Sequence, residues 1–189
     1  SQIGLPLSLL QINDSHKLGI FEVGISKPNE MEKLSTIFHP QIGLLTHIGS
    51  AHLANFKSED ELIDEKIKLF KNSEVIIYNG DNSVVDEKIK NLYSDRKLIS
   101  YGFKNNNKVF FKNNISKNED VVVQYFDENI SFPVHQRDEA TLTNALALIT
   151  VLKELGVENK KIVEKINALK AVEMRLEAIE GIKSNIVIN

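Results

Sequence analysis

Three short apolar runs in the middle of the chain constrain its fold more than any other feature. They cover residues 42–46, 75–78 and 98–101, and a stretch with helical periodicity separates each run from the next. Continuous apolar runs of this length are typical of strands that are covered on both faces, as in a parallel sheet. The sequence therefore predicts an α/β protein with a mostly parallel, Rossmann-like sheet flanked by helices.

A fourth apolar run, residues 18–23, extends this pattern towards the N-terminus. A helix is predicted after it, opened by Pro28 and ended before Pro40. A strand, a helix and a strand at this spacing predict a right-handed parallel crossover into the strand at 42–46.

Capping signals predict the remaining helices. Ser58 with Glu61 three residues later forms a capping box, and Asp138 is a second N-cap candidate. Gly156 is placed to end the long helix that Asp138 begins, and this helix is apolar almost all round, so we expect it to be buried. The predicted ranges are 58–71, 83–93, 138–155 and about 158–169.

Residues 105–136 have a different pattern of apolar residues. Short alternating runs at 109–111, 121–123 and 130–132 are separated by turns rich in asparagine, which predicts a small antiparallel β insert. We expect this insert to be a satellite of the main core. The last residues, 186–189, have the composition of a further strand.

Composition excludes several classes of function. The net charge is −3, and the lysines alternate with acidic residues, so no basic face for nucleic acid is indicated. The chain has no cysteine, which excludes disulfides and cysteine-based metal sites. No apolar run approaches the roughly 20 residues of a membrane span, so membrane insertion is not predicted and a cytoplasmic location is expected.

Lys66 is the first candidate for chemistry. Projected as a helix, residues 62–70 place Lys66 near the middle of an apolar face and Lys68 opposite it, in solvent. The apolar face consists of Leu62, Ile63, Ile67, Leu69 and Phe70. An ammonium on such a face must be paired, deprotonated, chemically modified or extended along its stem to water.

Glu22 and His52 pose a similar question. Glu22 lies towards the carboxyl end of an apolar run, and His52 follows the next predicted strand, where ligands of open α/β sheets bind. Glu22 could instead be paired with a local cation, and His52 could be a loop histidine without a role. Together with Lys66, the two could converge on a divalent metal that carries phosphates.

Five ordered motifs, spread over the whole chain, resemble those of the Mur ligases. Residues 46–58, THIGSAHLANFKS, followed by EKIKLF at 65–70, resemble the family's T-N-I-x-x-A-H-L-x-x-F-x-S and A-K-x-x-[IL]-F signature. The others are IGLPL at 3–7, FEVG at 21–24 with NEM at 29–31, NALA at 144–147 and MRLE at 174–177. The pattern is most similar to the branch that adds D-alanyl-D-alanine to UDP-N-acetylmuramoyl-tripeptide.

This resemblance implies metal ligands for an ATP-dependent peptide ligase of peptidoglycan synthesis. Glu22 corresponds to the carboxylate that helps to hold magnesium on the ATP phosphates, and His52 to a ligand of a second magnesium. Lys66 corresponds to a lysine that carbon dioxide carbamylates, which turns a cation into an anion that can bind or orient that metal.

The resemblance also implies contacts with ATP and with the substrate. Asn144 would contact the adenine, and Arg175 would approach the ribose or the phosphates. Gly4 and Pro6 belong to a segment that would lie against the UDP-muramoyl peptide, and D-alanyl-D-alanine would be the second substrate.

The resemblance implies that residues 1–189 are the central, ATP-binding domain of such a ligase. No G-x-x-x-x-G-K-[ST] phosphate loop is present, so we expect this loop upstream, a C-terminal domain downstream and an isolated chain that is catalytically incomplete. His47 stands where the family usually has Asn, and Asn29 where it usually has Gly. Two alternatives stay open: a folylpolyglutamate-type amide ligase, which shares a T-H-I-G segment, and a non-catalytic nucleotide-binding module.

Overall fold

The computed structural model describes residues 2–49, 53–113, 120–134, 137–168, 178–180 and 186–188. The helices are α1 (Gly4–Leu9), α2 (Glu30–Ser35), α3 (Glu59–Ile67), α4 (Ser83–Leu92), α5 (Glu139–Glu154) and α6 (Asn159–Asn167). The strands are β1 (Ile42–Leu45), β2 (Val75–Asn79), β3 (Lys97–Gly102), β4 (Val109–Phe111), β5 (Val121–Tyr125), β6 (Glu128–Phe132), β7 (Ala178–Glu180) and β8 (Ile186–Ile188). Among these described residues, no helix is both long and apolar enough to cross a membrane.

Six strands form one mixed sheet in the order β1-β2-β3-β4-β5-β6. Strands β1, β2, β3 and β4 run parallel to one another. Strand β5 is antiparallel to β4, and β6 is antiparallel to β5. Helix α3 connects β1 to β2 and α4 connects β2 to β3, so the predicted alternation of strand and helix is confirmed. The predicted strand at the C-terminus is confirmed as β8, which pairs antiparallel with β7.

The predicted caps are present and explain where the helices begin. Ser58 Oγ accepts a hydrogen bond from the Glu61 N–H at 3.1 Å, and the Glu61 carboxylate accepts one from the Lys57 N–H at 2.6 Å. Asp138 accepts a hydrogen bond from the Thr141 N–H at 2.9 Å at the start of α5. Gly156, with φ of 75°, follows the end of α5, as expected of a residue that permits the left-handed conformation.

The prediction of a strand at residues 18–23 is wrong for this structure. These residues form neither helix nor strand, and Ile20 is 86% exposed. An extended segment becomes a strand only when a neighbour satisfies its backbone N–H and C=O groups, and among the described residues β1 pairs only with β2. The predicted crossover from 18–23 into β1 is therefore absent as well.

The antiparallel pairing of the insert is confirmed, but its separation from the main core is wrong. Strand β4 pairs parallel with β3, so β4, β5 and β6 continue the same sheet. Val123, Ile130 and Phe132 are buried in the largest apolar cluster, which also contains residues of β3 and α5. The alternating pattern identified a half-buried sheet, but it could not specify the edge on which that sheet would be added.

Helix α3 lies where two smaller apolar clusters meet. Ile63 and Ile67 pack with β1, β2 and α4 in one cluster. Leu62, one residue earlier, packs with α1, α2 and Phe56 in the other. The helix therefore joins the sheet to the N-terminal segment.

Replacement of Ile130 by Ala tests whether the sheet has one continuous core. Ile130 is 2% exposed, so we expect Ile130→Ala to lower the free energy of unfolding by about 2–5 kcal/mol. Urea denaturation monitored by circular dichroism would show one transition, shifted to lower urea. The control is Ser131→Ala, on the exposed face of the same strand. A separate early transition, with the main midpoint unchanged, would instead show that the insert is a satellite.

Candidate active site at the sheet edge and helix α3

A cleft of about 230 Å³ opens at the carboxyl edge of the parallel strands. It lies where β1, β2 and the N-terminus of α5 meet, the edge at which open α/β sheets bind ligands. Its polar lining residues are Thr46, His47, Asn79, Asp81, Asn82 and Glu139. Thr46 and His47 belong to the first signature motif. Asn79 and Asp81 were not predicted, although their position directly after a strand was a signal that could have indicated them.

Asp81 shapes this edge by binding the next loop. Its carboxylate accepts hydrogen bonds from the N–H groups of Phe103 at 2.6 Å and Lys104 at 3.0 Å, and from Asn107 Nδ2 at 2.9 Å. A Cβ atom on Gly102 would lie 2.4 Å from Asp81 Oδ1, so the loop can approach this closely only at glycine. Because its oxygens are already engaged, Asp81 is a structural residue of the site.

Tyr101 holds the beginning of the first signature motif. Its hydroxyl lies 3.1 Å from the carbonyl oxygen of Thr46 and 3.3 Å from that of Leu45, and it donates to this pair. The side chain is fully buried, and burial raises the pKa of the phenol well above its usual value. The hydroxyl therefore remains a donor at neutral pH and ties the end of β1 to β3.

Glu22 lines a second, larger cleft, of about 650 Å³, with residues of the N-terminal segment. Gly4, predicted to contact substrate, lines the same cleft, so the structure brings these two residues together. Glu22 lies on the segment between α1 and α2, not at a strand end as predicted. Its carboxylate is exposed and has no hydrogen-bond or ion-pair partner among the residues that the structure describes.

Lys66 is half-buried on α3, as its place on the apolar face predicted. Within the described parts of the chain, its amine has no hydrogen bond and no ion pair. Burial lowers the pKa of the Lys66 ammonium because it removes water from the charged form, and no anion among the described residues offsets this effect. Of the four states that the sequence left open, ion pairing inside this part of the protein is therefore excluded.

Lys68 differs from the prediction of a freely solvated lysine. Its Nζ lies 2.6 Å from Oε2 of Glu65, a carboxylate that is only 4% exposed. Glu65 and Lys68 are three residues apart, a spacing that makes side chains neighbours on a helix surface, so the pair forms within one turn. The hydrogen bond to Glu65 raises the pKa of Lys68. In the same helical projection Glu65 lies beside Leu69 at the margin of the apolar face, which is a signal that could have indicated its burial.

Two further predicted site residues, Asn144 and Pro6, line neither cleft. Asn144 is exposed on α5, and Pro6 lies on α1. His52 and Arg175 lie outside the described residues. Asn29 has a left-handed backbone with φ of 65°, which agrees with a position where the family usually has Gly.

Comparison with known proteins identifies the family. The model of the Mur ligase middle domain matches residues 1–152. The chain belongs to this family. The UDP-N-acetylmuramoyl-tripeptide--D-alanyl-D-alanine ligase of Buchnera aphidicola subsp. Baizongia pistaciae is 29% identical over 196 residues, covering all of this chain and 42% of that protein. The ligase of the same name from Bacillus subtilis is 25% identical and is covered to 41%. This Mur ligase chain thus spans about two-fifths of the length of these relatives.

Solved structures show that the fold is shared. MurF from Acinetobacter baumannii superimposes with a TM-score of 0.79 at 21% identity, with 95% of this chain and 40% of that chain covered. MurF ligase from Thermotoga maritima, solved in complex with ADP, gives 0.63 at 19% identity, with coverages of 82% and 36%. The sheet with its helices is therefore the fold of a Mur ligase central domain.

Lys66 and Lys68 should titrate differently. Burial lowers the pKa of Lys66, whereas the bond to Glu65 raises that of Lys68, so Lys66 should lose its proton at the lower pH. Two-dimensional NMR of the protein with ¹³C-labelled lysine Cε, titrated from pH 7 upwards, measures both. The variants Lys66→Arg and Lys68→Arg assign the signals. Equal midpoints would show that the two environments are not distinct.

Proposed function

We propose that this chain is the central, ATP-binding domain of a ligase that adds D-alanyl-D-alanine to UDP-N-acetylmuramoyl-tripeptide. The observation that carries the proposal is Lys66, which is half-buried and unpaired in the described structure, at its motif position in a Mur ligase middle domain. Ligases of this name align with the entire chain. The phosphate loop and a C-terminal domain would come from the rest of the enzyme, so the isolated chain is expected to be inactive.

The chemistry of Glu22 and Lys66 supports the proposal of a magnesium site. Mg²⁺ binds oxygen ligands, and the exposed carboxylate of Glu22 has no competing partner in the described structure. An amine reacts with carbon dioxide only when deprotonated, and burial favours that state at Lys66. In the reaction the Lys66 nitrogen forms a bond to the carbon of CO₂ and loses a proton, which leaves a carbamate anion. Together with His52, these groups would hold the metal.

The proposed reaction joins a carboxylate to an amine at the expense of ATP. The terminal carboxylate of the UDP-muramoyl peptide takes the γ-phosphoryl group, and the amine of D-alanyl-D-alanine attacks the acyl phosphate, which releases phosphate and forms the amide. Bound magnesium would offset the charge on the transferred phosphoryl group. Because the reaction consumes ATP, the proposed location is the cytoplasm.

The other motif residues would position the two large substrates. Asn144 would contact the adenine and Arg175 the ribose or phosphates, while Gly4 and Pro6 would lie against the UDP-muramoyl peptide. Gly4 supports this assignment because it lines the same cleft as Glu22. The amine acceptor would bind outside this set.

Replacement of Lys66 in the complete enzyme tests the proposal. With UDP-muramoyl-tripeptide present, release of ADP should depend on D-alanyl-D-alanine. We expect Lys66→Ala to lower kcat by about 100-fold or more, because the anion that orients the metal is lost. Lys71→Ala, at an exposed lysine five residues away, is the matched control and should remain within about tenfold of wild type.

Mass spectrometry tests the modification itself. At neutral pH with bicarbonate, the wild-type protein should gain about 44 mass units, the mass of one carbon dioxide, and lose them on acidification. Lys66→Ala should gain nothing. Full activity of Lys66→Ala together with the same mass gain would overturn the assignment.

One sequence observation favours a second candidate, a folylpolyglutamate-type ligase, because His47, Ile48 and Gly49 match its T-H-I-G segment. Assays with glutamate in place of D-alanyl-D-alanine separate the two enzymes. A non-catalytic module would give no ADP release with either amine acceptor.

A further inference from the structure

A set of side-chain hydrogen bonds connects three segments that are far apart in the sequence. Glu30 Oε2 accepts hydrogen bonds from the N–H groups of Ser26 at 2.7 Å and Lys27 at 3.0 Å. The carbonyl oxygen of the same Ser26 accepts one from Asn55 Nδ2 at 3.0 Å. Glu30 therefore shapes the loop before α2, and Asn55 fastens that loop to the turn before α3.

The first turn of α2 is also bonded to α3. The N–H of Met31, next to Glu30, donates to Oε1 of Glu65 at 3.1 Å. Glu65 is 3% exposed and bonds to Lys68 through its other oxygen, so both ends of this buried carboxylate are satisfied. The start of α2 thus contacts both the loop before it and the helix that carries Lys66.

These bonds lie close in sequence to all three proposed metal ligands. Ser26 is four residues after Glu22, Asn55 is three residues after His52, and Glu65 directly precedes Lys66. Two of the bonds span 29 and 34 residues, so they are tertiary contacts, not local turns. Described residues near each proposed ligand are consequently bonded to another segment.

The polar bonds are backed by a common apolar cluster. Ile25, Met31, Phe56 and Leu62 are buried together, and each is a neighbour of the bonded residues or lies on the same element. Because this cluster supports the segments independently, loss of one exposed hydrogen bond should change their relative placement without unfolding the domain.

On the basis of the proposed function, we propose that Glu30 and Asn55 are positioning residues that hold the Glu22 loop against the turn following His52. Neither side chain would bind the metal. Partners of this kind restrict the orientations of ligands, and their loss typically weakens metal binding by about 10–100-fold.

The state of Glu30 agrees with this role. The hydrogen bonds from the N–H groups of Ser26 and Lys27 lower the pKa of its carboxyl group. Glu30 is therefore ionised at neutral pH and accepts both bonds. A glutamine side chain retains an acceptor oxygen but not the charge, so Glu30→Gln separates hydrogen bonding from electrostatic attraction.

The test uses three variants and a matched control in the complete enzyme. Glu30→Ala removes the acceptor, Glu30→Gln retains it, and Asn55→Ala removes the donor to Ser26. The control is Asn113→Ala, because Asn113 Nδ2 donates to the carbonyl oxygen of Asp120 at 2.8 Å in the insert. Asn55 is exposed, so its variant should fold even if Glu30→Ala does not.

Two readouts do not depend on turnover. The first is the Mn²⁺ dissociation constant, measured by electron paramagnetic resonance with a non-hydrolysable ATP analogue. It should rise about tenfold in Glu30→Ala and Asn55→Ala but stay within about twofold of wild type in Glu30→Gln and Asn113→Ala. The second is amide hydrogen exchange without metal, in which Ser26 and Lys27 should lose protection in Glu30→Ala only.

Activity then distinguishes positioning from a general loss of structure. Glu30→Ala and Asn55→Ala should need about tenfold more Mg²⁺ for half-maximal ADP release, with kcat at saturating Mg²⁺ nearly unchanged. Metal affinity in Asn55→Ala equal to that in Asn113→Ala would overturn the inference, as would a loss in Glu30→Gln as large as in Glu30→Ala. Absence of D-alanyl-D-alanine-dependent ADP release in the wild type would instead contradict the proposed function.

Discussion

The packing of α3 between two apolar clusters is the constraint on which the rest of the site depends. Leu62 belongs to the N-terminal cluster, whereas Ile63 belongs to the cluster under the sheet, so the helix cannot turn without exposing one of them. Lys66 lies on the same side as both residues. Its partial burial and its lowered pKa therefore follow from core packing.

Different parts of the domain provide its stability and the placement of the site residues. The sheet and α5 form the largest apolar cluster, and the ends of the strands are held by residues such as Tyr101 and Asp81, whose polar atoms are satisfied internally. The N-terminal segment is held by a smaller cluster and by a few hydrogen bonds around α2. The N-terminal segment has fewer contacts than the sheet. Loss of a single hydrogen bond in this segment can therefore shift residues of the site without unfolding the domain.

Local signals predicted what depends on local physics. The caps at Ser58 and Asp138 are formed because a side-chain oxygen bonds to a backbone N–H three residues later, whatever the rest of the chain does. Apolar runs also predicted β1, β2 and β3 correctly, because these three strands have one another as neighbours in the sheet. The same reasoning failed at residues 18–23, because a strand also needs a neighbour, and for the insert, because alternation does not say which sheet edge it joins.

Residue type and spacing were enough to predict the alternation of strand and helix from β1 to β3, the N-caps of α3 and α5, the motifs of a Mur ligase and the unusual position of Lys66. Tertiary contacts determined that Glu65 is buried and bonded to Met31, that Glu22 lies on a loop, and that Asn55 reaches Ser26. These contacts depend on which distant segments meet, and residue spacing within one helix or strand indicates only the contacts inside that element.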